Sequence, residues 1–220
     1  MLTFVASGKG VWGPGLTLFP EKTVLALSGD GVASMVGELK NAGPVNVVAH
    51  DVAGLAALLY AIEAPERVRS VSVVSSVAAA PTGDSPVNLT LAHPPAGARE
   101  AARWALERIS YSHHHIDDAL VEDYARAAAL PKAADAGAAK ARLYETCRTR
   151  GFPVPAQVIW GTHDPLGTLE QGLWLFRILA AKQKAAHFHV INRAGTLPFR
   201  EEPQAFHQVV AAFVDGLSQG

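Results

Sequence analysis

The sequence predicts an α/β protein, a mostly parallel sheet with helices on both faces and a helical segment inserted into it. Three observations predict this. Short runs rich in Val, Ile and Leu alternate with Ala-rich helical stretches, the pattern of strand–helix–strand units. Of the 220 residues, 49% are hydrophobic and 18% charged, which describes a chain with a sizeable buried core and not a disordered one. Finally, residues 78–150 differ in composition from everything around them. The length fits one domain over residues 1–220, with 78–150 as an inserted helical cap.

Taken in order, Leu2 to Ala6 (LTFVA) reads as a buried strand, ended by the Gly-rich loop Ser7 to Gly15. Thr23 to Leu27 (TVLAL) is the second strand. Asp30 is placed to cap a helix from Gly31 to Asn41, which Gly43-Pro44 stops. Val45 to Ala49 (VNVVA) is the third strand and runs straight into an apolar helix, Val52 to Ile62. Val68 to Val74, Val154 to Trp160 and His187 to Ile191 follow as strands. Leu169 to Ala181 and Pro203 to Leu217 follow as helices, the last with Pro in its first turn. Within the insertion, a turn-rich stretch with Pro81, Gly83, Asp84 and Pro86 precedes three helices, Ala98 to Ile109, Asp117 to Ala129 and Ala134 to Thr149. Gly151-Phe152-Pro153 closes it.

Charge and cysteine use exclude several functions. Lys plus Arg number 19 against 20 Asp plus Glu, a formal charge of −1, so no general field draws in nucleic acid or an anionic membrane. Cys147 is alone, which excludes an intrachain disulfide and a four-thiolate metal centre. The longest apolar stretch, Val52 to Ile62, falls far short of the roughly 20 residues of a membrane span. The opening MLTFVASGKGVWG has neither a basic leader nor a long apolar region, so a cytoplasmic protein is expected. Gly8-Lys9-Gly10 lacks the spacing of either phosphate-binding loop, and no cofactor or metal is expected.

The most informative stretch is Ala49-His50-Asp51-Val52-Ala53-Gly54. Here a strand turns abruptly into a helix through one residue flanked by small ones. Such a bend drives the strand and helix backbones together and leaves no room for larger side chains. Asp51 sits at the apex, at the strand's C-terminal end and a helix N-terminus, where free amides stabilise negative charge. A second reading is open: Asp is a favoured helix N-cap, worth about 1 kcal/mol, and needs no chemistry to be there.

These residues resemble the nucleophile elbow of the α/β-hydrolase superfamily, whose pattern is small-x-nucleophile-x-small, and the likeness continues along the chain. "EAPERVRSVSVV" (Glu63 to Val74) is similar to the passage that follows the elbow. "VIWGTHDPLG" (Val158 to Gly167) is similar to the strand and loop carrying the triad acid, which implies that role for Asp164. "INRAGTLPFREEPQAF" (Ile191 to Phe206) is similar to the last strand, the histidine loop and the last helix. Within the superfamily the chain resembles the hydrolases that cleave carbon–carbon bonds in ring-fission products of aromatics. "VWGPGL" resembles their Gly-Pro-Gly loop, and "ARWALERISYSHHHIDDALVEDYARAAALP" resembles their cap.

The departures from that pattern bear on the chemistry. The subfamily's nucleophilic Ser is Asp51 here, and the position that should present His, after Ala194-Gly195, is Thr196. The His-Gly loop reads Ala6-Ser7-Gly8, and Tyr124 stands where a cap Arg holds a substrate carboxylate. The chain also begins at the family's third strand, without the antiparallel hairpin. Related branches do use Asp at the elbow to form an alkyl ester, but they need His to activate the water that frees it. Such general-base help is worth about 10²–10⁴-fold, and a Thr hydroxyl cannot supply it.

Two readings follow. In one, the chain is a hydrolase-like enzyme for a small apolar carbonyl or ester-like compound, with Asp51, Asp164 and Thr196 at the reacting centre. The amides of Val52 and of Ser7 or Gly8 would then hold the oxyanion. In the other it is an inactive relative that binds a small molecule or serves as a partner subunit. His163, His114, Tyr124 and Arg103 are candidate substrate contacts, though a surface ion pair suits Arg103 better than a substrate clamp and a solvated run suits His113 to His115. His50 is expected to pack into the core. His187 and His189 share a strand face. Without the hairpin, TVLAL becomes an apolar sheet edge that has to be covered, kept short or paired, so a homodimer is expected, either edge to edge or through the cap.

Overall fold

Six strands lie side by side and every neighbouring pair runs parallel. In the computed structural model, which describes residues 2–27, 31–40, 44–82, 91–129 and 134–217, they are β1 (Leu2–Ala6), β2 (Lys22–Ala26), β3 (Val45–His50), β4 (Val68–Val74), β5 (Ala156–Gly161) and β6 (Ala186–Ile191). Their order is β2-β1-β3-β4-β5-β6. The helices are α1 (Val32–Leu39), α2 (Val52–Glu63), α3 (Ala98–Ile109), α4 (Asp118–Ala128), α5 (Ala136–Thr149), α6 (Leu169–Ala180), α7 (Pro198–Glu201) and α8 (Pro203–Leu217). The expected elements occur within two residues of their predicted ends; the four-residue α7 was not foreseen.

The central strands carry apolar residues on both faces because both are covered, and their buried polar residues pair with one another, Ser70 with Asn46 and Ser72 with Gln157, each at 2.8 Å. Val5, Val47, Ala49, Val71, Val73, Val158 and Trp160 pack on the layer formed by α1, α2, α5 and α6. Phe4, Ala6, Val48, Val74 and Ile159 pack on Trp12, Phe19, and apolar residues of α3, α4 and α8. Parallel register brings the ends of β1, β3 and β4 level, with Val5 opposite Ala49 and His50 opposite Val74. Chain order reverses between β1 and β3, so the loops leaving these strands part and open a crevice at their C-terminal ends, where ligands bind in open α/β sheets.

The helix starts have identifiable partners. Asp117 caps α4 by accepting from the Leu120 amide at 2.8 Å, and Thr168 with Gln171 forms a capping box on α6. Asp30, the expected cap of α1, lies outside the described residues. The first amides of that helix, Val32 and Ala33, donate instead to the Asp135 carboxylate at 2.9 and 3.0 Å. The insertion is divided in its packing. Helices α3 and α4 pack on each other, and α4 on the Lys9–Trp12 turn, whereas α5 packs on α2 and α6 and buries Leu143 and Cys147 there. The part lying over the strand ends is therefore narrower than 78–150. No helix among the described residues is long and apolar enough to cross a membrane.

Candidate active site

Asp51 is held in a backbone conformation that an L-residue rarely adopts, φ 49° and ψ −121°. Such a conformation costs on the order of 1–3 kcal/mol and persists only where its surroundings over-determine it. Here they do. Its amide donates to the Val74 carbonyl at 3.2 Å, while its carbonyl accepts from the Gly54 amide at 2.9 Å and from the Ser76 hydroxyl at 2.7 Å. Gly54 has to be small: a Cβ there would lie 2.5 Å from the Ser76 oxygen.

The Asp51 side chain does not cap α2. It faces the amides of Val52 and Ala78. Burial pushes its carboxyl up from the usual 3.8 to about 6, and the two amides only partly oppose this. The standard capping bond to a later amide of α2 is absent, and the carboxyl meets the first amide of the helix, that of Val52, instead.

Asp164, in the loop after β5, is buried. Its Oδ1 accepts from the Thr196 hydroxyl at 2.8 Å, from the Leu166 amide at 3.0 Å and from the Gly167 amide at 3.3 Å. Burial outweighs these donors and pushes its carboxyl up to about 6 as well. Thr196 is locked at every polar atom, since its amide donates to the Ile109 carbonyl at 2.9 Å and its carbonyl meets His50 Nε2 at 3.1 Å. His50 lies edge-on to Phe199 and Trp12 inside the core, and burial lowers its pKa to about 4. It is neutral at pH 7 and holds the Thr196 loop. Among the described residues no histidine ring is hydrogen-bonded to Asp51.

Helix α4 brings Tyr124 over the strand ends. Burial raises the pKa of its phenol, and the charges of Asp51 and Asp164 raise it further, so it is a hydrogen-bond donor at any ordinary pH. The neighbouring Asp123 fixes the loop after β1 by accepting from the Gly10 amide at 2.6 Å. A Cβ on Gly8 would lie 2.5 Å from the same carboxylate. Between this loop and α4 runs a groove of about 630 Å³, lined by Ser7, Gly8, Gly10, Ala26, Asp123 and Arg126 among others.

The structure thus brings together Asp51, Val52, Asp164, Thr196 and Tyr124 of the residues expected at the site. It does not bring in three others. His163 is exposed, bonded to Thr162 Oγ1 at 2.8 Å and packed at a tilt against the Tyr111 ring. His114 is exposed and bonded to the Ser112 hydroxyl. Arg103 pairs on the surface with Asp118 at 3.4 Å.

Sequence reasoning missed the residues that hold the site together. Arg200, almost fully buried, donates to the carbonyls of Gly10 at 2.6 Å, Val11 at 3.3 Å and His115 at 2.9 Å, and pairs with Asp117. Glu201 accepts from the amides of Tyr111, Ser112 and Gly195 at 2.7, 3.0 and 2.8 Å. The one signal was the charged pair Arg200-Glu201 directly after the apolar run Leu197-Pro198-Phe199. For Ala78 and the pair Ser75-Ser76 there was none.

Comparison with known proteins accords with this geometry. The sequence matches the model of the alpha/beta hydrolase family over residues 10–209. No curated protein sequence matches the chain. A membrane phospholipase A described as a bacterial virulence factor superposes with a TM-score of 0.72 at 19% identity, over 100% of this chain and 79% of that one. The meta-cleavage product hydrolase CumD of Pseudomonas fluorescens IP01 does so with a TM-score of 0.68 at 18% identity, over 98% and 90%. The 2-hydroxy-6-oxo-6-phenylhexa-2,4-dienoate hydrolase BphD of Rhodococcus sp. strain RHA1 gives 0.67 at 16% identity, over 97% and 90%. With its strained elbow and parallel sheet, and a family model matched over most of its length, the chain belongs to the alpha/beta hydrolase family.

Proposed function

We propose that the chain is a hydrolase-type enzyme whose reacting side chain is Asp51, and that it acts on a small, mostly apolar carbonyl or ester-like compound beneath Tyr124. One observation carries this reading: the backbone is forced to positive φ at Asp51 while the carboxylate forms no helix cap. A carboxyl pushed up to about 6 is near half-ionised in mildly acidic solution and serves as either base or acid. As base, Asp51 takes a proton from water while the water oxygen bonds to the substrate carbonyl carbon. The carbonyl oxygen takes the negative charge and is held by the amides of Val52 and of Ser7 or Gly8. As the tetrahedral species collapses, the bond to the leaving group breaks and Asp51 returns the proton to it. Asp164, fixed by Thr196, orients the water or substrate, and Tyr124 donates to it from above.

The test is hydrolysis of short-chain p-nitrophenyl esters by the wild type and by Asp51→Asn. The expected loss is about 10²–10⁴-fold with apolar ligand affinity kept; equal rates contradict the proposal. A second reading, small-molecule binding without turnover, is favoured by Thr196, whose hydroxyl is already donated to Asp164. Ligand binding by a wild type that hydrolyses neither esters nor ring-fission products decides for it. We also infer a homodimer paired through β2, the half-buried edge strand of the sheet; a monomer by light scattering at micromolar concentration contradicts it.

A further inference from the structure

The end of β4 carries a second strained residue that the scheme above leaves without a role. Ser75 has φ 43°, is fully buried, and its amide donates to the Ile159 carbonyl at 3.0 Å. Its hydroxyl has no hydrogen-bond partner at proper geometry, and neither has Oδ2 of Asp164. The two side chains face each other across the gap between β4 and the loop after β5. Two unpaired polar atoms buried side by side, one on a backbone held at positive φ, are costly unless they serve each other.

The division of labour at Asp164 shows what Ser75 is for. Oδ1 already accepts three donors, the Thr196 hydroxyl and the amides of Leu166 and Gly167. A proton bound by this carboxyl therefore sits on Oδ2. Ser75 is a hydroxyl, whose hydrogen turns to meet Oδ2, so it donates to the charged carboxyl and favours that form over the protonated one. The other ionisable groups facing this cluster are the Tyr124 phenol from α4, which feels Asp51, Asp164 and the Arg200 guanidinium of α7, and Asp51 itself at the elbow.

We propose that Ser75 is a positioning residue of this site, a hydroxyl that the strained end of β4 holds against Oδ2 of Asp164 to set which form of that carboxyl the site presents. The role rests on reading the cleft as an enzyme's, but its test does not. Asp side-chain carboxyls are followed by carbon-13 NMR across pH in the wild type, Ser75→Ala and Ser75→Gly, with no substrate present. Losing a hydrogen bond that favours the charged form moves the Asp164 midpoint upward by about one pH unit in both variants, while Asp51 stays in place. Glycine adopts φ 43° without strain, so Ser75→Gly melts at a higher temperature than Ser75→Ala. An Asp164 midpoint unmoved in the variants, or Ser75→Ala melting at or above Ser75→Gly, overturns the inference. Either result leaves the Asp51 hydrolysis test to be judged by itself.

Discussion

Replacing Arg200 by Met keeps the length of the side chain and removes what ties the cap to the loop after β1. The side chain is 1% exposed, and its loss strands the carbonyls of Val11 and His115, whereas that of Gly10 keeps the Gly13 amide at 3.2 Å. A stranded buried acceptor costs about 1 kcal/mol at the low end, or roughly 2 kcal/mol for the two. Asp117 is 50% exposed, so losing its partner adds little. At about 2–4 °C per kcal/mol for a domain of this size, the melting temperature should fall by about 4–8 °C. The effect should also be local. Hydrogen–deuterium exchange should quicken over residues 110–120, where Glu201 and Arg200 hold the strap, and stay slow in β3 and α2. A fall under about 2 °C, or equal quickening in β3 and α2, refutes the role given to Arg200.

Other outcomes follow from the same geometry. Asp51 has a folded-state value of about 6 against an ordinary 3.8, so the folded protein holds this proton more tightly than the unfolded chain. Its contribution to stability is whole below about pH 4 and lost as pH rises through 6. Asp51→Asn should accordingly be more stable than wild type at pH 7.5, by up to about 2 kcal/mol after allowing for its partial exposure. The gain should vanish at pH 4, as read by urea denaturation at both pH values; a gain independent of pH contradicts the assignment. Gly195→Ala would place a Cβ 2.3 Å from the Ile109 carbonyl, a backbone atom that cannot swing aside. It should cost about 1–3 kcal/mol in denaturant unfolding and loosen the cap, and an unchanged midpoint contradicts that packing.

What the sequence made legible was whatever has a local cause. Short runs rich in Val and Leu such as Leu2–Ala6 and Val68–Val74 mark buried strands wherever they fall. The small residues around Asp51 mark a bend that excludes larger ones, and Thr196 was found by counting along a loop. What escaped has a cause far away in the chain. Arg200 is 190 residues from Gly10, and Asp135 is 103 residues from Val32, whose amide it accepts. Such contacts carry no period and no spacing, and an Arg or an Asp reads as surface until the fold buries it. His163 shows the converse: adjacency to Asp164 suggested a place in the site, but one peptide step turns its ring outward onto Tyr111. Helix α5 shows the same limit, since composition groups it with the insertion and packing places it beside α2.

The account turns on a desolvated, ionisable carboxyl at the bend between β3 and α2. The direct measurement is the carbon-13 titration of the Asp51 carboxyl in the wild-type chain, assigned by the signal that Asp51→Asn removes. A midpoint near 6 is the predicted result. A midpoint at the ordinary value of 3.8 would mean a side chain turned to solvent, and would contradict it.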